Sequence, residues 1–179
     1  MIINEREARH EQVMQIARQM MTAARTAPKG KGVDVIEIAL VEGDDIRRLS
    51  EEMIAIQEEN GFKFFLRDAD NILNAECILL IGTREHVHGL NCGHCGYSNC
   101  VDRPNGVPCA IVSVDVGIAI GSACATAADH RVDTRVMFSA GLAAQRLNIL
   151  EGCRQVFAIP VSASSKNPFF DRKPKEQQK

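Results

Sequence analysis

Near the start of the chain, apolar residues recur at helical spacing. Val13, Ile16, Ala17, Met20, Met21 and Ala24 share one face of a helix predicted over residues 4–26. Asn4 at its start and Glu7 three residues on form a capping-box pattern, and Pro28 with Gly30-Lys31-Gly32 ends it. The period then changes. Residues 33–41 are rich in Val and Ile and read as a strand. Asp44 or Asp45 caps a second helix, whose stripe is Ile46, Leu49, Met53 and Ile56 and whose stop is Asn60-Gly61. Residues 62–66 are a short apolar run, strand or turn, and 68–75 form a short helix. Within 76–82, Cys77-Ile78-Leu79-Leu80-Ile81 is the unbroken apolar run of a buried central strand.

The pattern lapses from Thr83 to Pro108, about 25 residues rich in Gly, Asn, His and Cys, and so long a loop inside a compact domain is either functional or held by something. Periodicity then resumes in an apolar helix, capped by Asp115 and running to about residue 130. Gly117, Gly121 and Ala125 put small residues on one stripe, which predicts a central helix closely approached by another, at a dimer interface or within the domain. A short helix over 137–147, a strand over 155–162 and an extended or mobile tail from Asn167 complete the chain. The reading is one α+β domain over 1–179, with a mixed or antiparallel sheet flanked by helices and a Cys-rich insertion at 83–110.

Composition narrows this picture. The chain of 179 residues is 45% hydrophobic and 25% charged, ordinary for one globular domain. Its net charge of −2 and its single Tyr without Trp argue against nucleic-acid binding, which needs phosphate neutralisation and stacking surface. Residues 107–128 invite a membrane test. Their Ile and Val favour insertion by about 2–4 kcal/mol, and Asp115 cancels about 2.5–3.5 kcal/mol of it, so a buried helix is the better reading. The first residues, Met1 to Glu7, are charged and lack the apolar core of a signal peptide. With seven cysteines, that predicts a reducing, cytoplasmic setting in which thiols serve metal or redox chemistry.

Four of the seven stand at C-x2-C-x4-C-x8-C: Cys92, Cys95, Cys100 and Cys109. Four thiolates are the ligand set of an iron–sulfur cluster or of a structural zinc. Zinc sites made only of cysteine commonly use two C-x2-C pairs and this chain has one, which favours [4Fe–4S]; [2Fe–2S] and zinc stay open, with His94 available to a zinc knuckle. Glycines 89, 93, 96 and 106 let the backbone bend around an inorganic core and present N–H groups to it. Cys77, Cys124 and Cys153 read as small buried hydrophobes. His86 and His88 read as solvated flanks of the loop, and His130 as a helix-end histidine beside Asp129.

Residues 89–100, Gly-Leu-Asn-Cys-Gly-His-Cys-Gly-Tyr-Ser-Asn-Cys, resemble the motif of the small [4Fe–4S] domain in the Rnf complex B subunit and in corrinoid iron–sulfur proteins. That resemblance assigns Cys92, Cys95 and Cys100 as ligands. The fourth follows further downstream in those proteins, and Cys109 is the next cysteine here, closer than their usual spacing; Cys124 is the reserve. The same cysteine run, with 115–122, 128–133, Phe138-Ser139-Ala140-Gly141 and 166–172, resembles an uncharacterised prokaryotic ferredoxin-domain family. Residues 23–28 and the Asp115 helix are also similar to flavin-dependent nitroreductases, whose dimers bury flavin mononucleotide (FMN) at the interface. The chain lacks the Arg-Arg-Ser-x-Arg start by which that family grips the flavin phosphate. The resemblance therefore supports the nitroreductase-like fold and a homodimer more than the flavin; it offers Arg25 and Arg172 as candidates for a flavin phosphate, beside Lys29 and Lys31, whose Gly-Lys-Gly turn reads as a phosphate cradle or as a solvated turn.

Together these readings predict a [4Fe–4S] protein of ferredoxin type, moving one electron at a time to a redox partner protein or a small-molecule acceptor. The alternatives are a flavin-dependent oxidoreductase fed by the cluster and a zinc-stabilised binding module. Neither membrane nor nucleic acid is expected as a partner.

Overall fold

The computed structural model describes residues 1–170. Strand β2 (Cys77–Arg84) is the spine of a four-stranded antiparallel sheet. β1 (Ile36–Val41) pairs along one edge of it, from Ile36 opposite Thr83 to Val41 opposite Ile78. β4 (Cys153–Ser162) pairs along the other, from Cys77 opposite Val161 to Thr83 opposite Gln155, and the two-residue β3 (Asp133–Thr134) closes the order β1-β2-β4-β3. The apolar run of β2 is continuous because helices cover both faces, and its period of two sorts the side chains. Cys77, Leu79 and Ile81 join Ile159 and Val161 beneath α1 (Glu5–Thr26) and α4 (Ala110–Asp129). Ile78 and Leu80 join Val156 and Ala158 beneath α2 (Asp44–Asn60), α3 (Phe64–Ile72) and α5 (Phe138–Arg146).

The helix starts follow local chemistry. The Asn4 carboxamide accepts from the amide of Arg6 and opens α1, which buries Val13, Met14, Ala17, Met20 and Ala24. Gly61 takes a left-handed φ of 75° and closes α2, as the Asn-Gly pair predicted. The apolar run at 62–66 is not a strand. It feeds α3, because Phe65, Asp68, Ala69 and Ile72 recur at helical spacing and are buried on one face.

Two expectations for α4 are corrected. The helix begins at Ala110, after Pro108 and Cys109, and not at Asp115; the Cys109 carbonyl takes the Ser113 amide at 3.0 Å. Asp115 is inside the helix and buried. The stripe that packs is Val112, Val116, Ala119, Ala123 and Ala127, fastened to α1 by the Ser122 hydroxyl on the Ala23 carbonyl at 2.9 Å. Gly117, Gly121 and Ala125 lie on the opposite, exposed face with Val114 and Ile118. By length and apolarity α4 could cross a membrane, but here it packs as an element of the core. The tail also differs from expectation. Residues 167–170 form a turn that buries Phe169 against the α2 and α5 layer, and its carbonyl is held by Asn71 and Arg135. The remainder of the predicted tail, with Arg172, lies outside the described residues.

Candidate metal centre

The Cys-rich segment leaves β2 at Arg84 and rejoins the fold at Ala110, with one short 3₁₀ turn at Cys100–Asp102. Its irregular path is fixed near its start by buried and part-buried polar contacts. His88, read from sequence as solvated, is buried; its ring Nε2 lies 3.0 Å from Asp115 Oδ2. An ionised carboxylate can only accept, so the ring donates from Nε2, and Nδ1 has no partner among the described residues. The other Asp115 oxygen accepts the Gly30 amide at 2.8 Å, and Lys31 Nζ donates to the His88 carbonyl at 3.1 Å. The Gly30-Lys31-Gly32 turn thus grips the start of the loop. Gly30 is required there: a Cβ would meet Ile111 Cγ2 at 2.9 Å and His88 Nε2 at 3.0 Å. A lone charge in an apolar helix was the sequence signal for this contact, because a buried carboxylate must find a partner.

The four predicted thiols share this one segment, with Cys92 exposed, Cys95 and Cys100 half-buried and Cys109 buried. Asn91, at φ 48°, pairs with Cys100 in both directions. Its side chain accepts the Cys100 amide at 2.8 Å, and its own amide points at Cys100 Sγ at 3.3 Å. Burial pushes the Cys109 thiol up, but the amides of His88, Val112 and Ile111 and the charge of Arg103 outweigh it and bring the thiol below its ordinary range. Backbone N–H groups that stabilise a thiolate are the environment of a metal or cluster ligand. Among the described residues, no three His, Cys, Asp or Glu side chains converge into a metal centre, so the thiols share a loop but not yet a cage. His94 Nδ1 lies 3.0 Å from the Cys92 carbonyl.

The other cysteines keep their distance from this chemistry. Burial, with the charges of Glu76 and Glu42, pushes the Cys77 thiol up to about 12. Burial likewise raises Cys124, and raises Cys153 with Glu37 adding to it. Cys77 and Cys153 are core thiols, whereas Cys124 is only half-buried, against the sequence expectation.

Three of the four cations considered for a flavin phosphate are engaged within the protein. Arg25 Nη1 holds Asp34 at 2.8 Å and the Ile36 carbonyl at 2.7 Å. Lys29 Nζ caps the end of α1 through the carbonyls of Arg25 and Ala27, at 2.6 and 2.8 Å. Lys31 is the clamp on His88, and Arg172 lies outside the described residues.

Known proteins match this arrangement in two ways. The family described as "Uncharacterized protein containing a ferredoxin domain" (DUF2148) matches residues 105–172, which take in Cys109 and α4 and leave Cys92, Cys95 and Cys100 outside. An uncharacterized protein of Archaeoglobus fulgidus is 39% identical over 186 aligned residues, covering 98% of this chain and 100% of its own. The structural likeness is to flavoproteins. A nitroreductase with bound FMN from Desulfitobacterium hafniense superposes with a TM-score of 0.60 over 92% of each chain, at 14% identity. One from Bacteroides fragilis, also with bound FMN, gives 0.60 over 92% of this chain and 84% of its own, at 10% identity. At such identities the likeness is one of fold, and the fold is nitroreductase-like.

Proposed function

Because the chain belongs to this ferredoxin-domain family, we propose that it is an iron–sulfur protein of ferredoxin type that carries one [4Fe–4S] cluster on the 83–110 insertion. One observation carries the reading: four cysteines in a single Gly-rich segment, two of them already receiving backbone N–H groups at sulfur. The donor set fits the cluster chemically, with Cys92, Cys95, Cys100 and Cys109 as ligands. When bound, the cluster exchanges one electron at a time. The protein's own residues do the rest. The N–H groups of Asn91, His88, Ile111 and Val112 favour anionic sulfur, and Asp115 with Lys31 holds the loop against the core. The partner is a redox protein or a small-molecule acceptor in a reducing, cytoplasmic compartment, where seven unpaired thiols persist. The exposed apolar face of α4, with Val114 and Ile118, supports a homodimer.

The fold favours a second reading, in which the cluster feeds a bound FMN. Its phosphate would have to displace the carbonyls and carboxylate that now occupy Arg25, Lys29 and Lys31, which sets this reading behind the first. Anaerobic purification followed by iron, zinc, sulfide and flavin analysis separates the cases. About four irons and four sulfides per chain are expected. Flavin beside them would establish the second reading, and one zinc without sulfide would replace both with a zinc-stabilised module.

A further inference from the structure

Arg103 stands between two of the proposed ligands. It follows Cys100 by three residues, and its amide donates to the Cys100 carbonyl at 3.4 Å. Its side chain lines the same cleft as Cys109, at the start of α4. Two of its nitrogens, Nε and Nη1, are buried and hydrogen-bond to nothing among the described residues. Unmet donors on a buried cation are costly, so such a group is expected to have an acceptor. Both nitrogens are closed to solvent, so neither water nor a dissolved ligand reaches them. The nearby carboxylates are engaged elsewhere: Glu37 by Arg84 at 2.8 Å, Glu85 by Arg154 at 3.5 Å, and Asp102 by the Asn99 side chain at 2.9 Å. What the segment still offers is sulfur. Burial raises the Cys109 thiol, and the backbone amides and then the charge of Arg103 bring it down. A cluster held by four thiolates is a net anion, and the segment's two cations are Arg84, already matched, and Arg103.

We propose that Arg103 is a direct partner of the cluster, donating from Nε and Nη1 to its sulfur and raising its reduction potential. The inference rests on the [4Fe–4S] reading above. A positive charge with N–H donors at sulfur favours the reduced state, which carries the more negative charge. The amides that meet Cys100 and Cys109 belong to the backbone. Arg103 is the side chain through which one substitution can reset the potential.

The test uses protein purified without oxygen, with iron, zinc and sulfide measured on every sample. Potentials are read by dithionite titration followed by EPR. Arg103→Gln should lower the potential, with Arg103→Lys between, since an ammonium keeps the charge but not the fork. Arg154→Gln removes an exposed charge from the same cleft, where solvent screens it, so its potential should stay near that of wild type. A second readout needs no Arg103→Gln. Wild type carrying nitrogen-15 in its arginine side chains should show coupling of that nitrogen to the reduced cluster in pulsed EPR, and Arg103→Lys should lose it. If Arg103→Gln does not retain its cluster, wild type and Arg103→Lys carry the test. Three results would each overturn the proposal while leaving the cluster reading in place: equal potentials in wild type and Arg103→Gln, equal shifts in Arg103→Gln and Arg154→Gln, or wild type without the nitrogen-15 coupling. One zinc and no sulfide in wild type would overturn the cluster reading, and this inference with it.

Discussion

At the scale of single residues, Asp115 joins the fold to its chemistry. It meets the Gly30 amide and the buried His88 ring at once, and His88 in turn leads into the cysteine segment. Asp115→Ala strands both donors in the interior. We expect a loss of about 3–5 kcal/mol in denaturant unfolding, the range for breaking a buried pair by removing one partner. Asp115→Asn keeps the shape and one acceptor, so it should cost about 1–3 kcal/mol. If the contact positions the loop, both variants should also retain less iron and sulfide per folded chain than wild type. A purely structural contact would lower stability and leave that ratio unchanged. The sequence showed Asp115 as an anomaly in an apolar stretch, and read it as a cap. It could not show the partner, because His88 lies on the far side of the segment that was hardest to read.

Among the elements, α5 and α4 each carry glycine, with opposite consequences. A Cβ on Gly141 of α5 would meet the Val156 carbonyl oxygen of β4 at 2.0 Å and the Phe157 Cα at 2.8 Å. Neither atom can give way without moving the strand, so Gly141→Ala should cost about 3 kcal/mol and lower Tm by roughly 6–12 °C. Gly117 of α4 has open space around the same position. There Ala removes the entropy penalty of a helical glycine, and in a chain kept monomeric Gly117→Ala should stabilise by about 0.5–1 kcal/mol. Thermal unfolding of the pair checks both signs. The sequence grouped Gly117 with Gly121 as a close-packing stripe, yet the tight approach belongs to Gly141. Spacing along a helix tells which residues share a face but not which face meets the sheet.

For the whole molecule, three layers leave the outer face of α4 uncovered, with Val114 and Ile118 exposed. The proposed homodimer covers it. Sedimentation should give twice the monomer mass, and Ile118→Arg should shift the protein toward monomer with its circular dichroism unchanged. A wild-type monomer would remove the dimer from the proposal. At this scale the apolar run at 77–81 announced the central strand, and the stripes of α1 and α2 announced the helices around it, because burial on a periodic backbone writes itself into the sequence. The cysteine spacing proposes a ligand set by donor type alone, which needs no coordinates. Tertiary structure decided what depends on contacts between distant segments: that residues 64–66 open a helix, that Phe169 returns to the core, that Lys31 reaches the His88 carbonyl, and that Asp115 lies inside its helix and holds the loop rather than capping it. The pairing of Gly30 with Asp115 spans the chain from the end of α1 to the middle of α4. Only the folded backbone brings two such residues within hydrogen-bond reach, so no local pattern in the sequence could have recorded it.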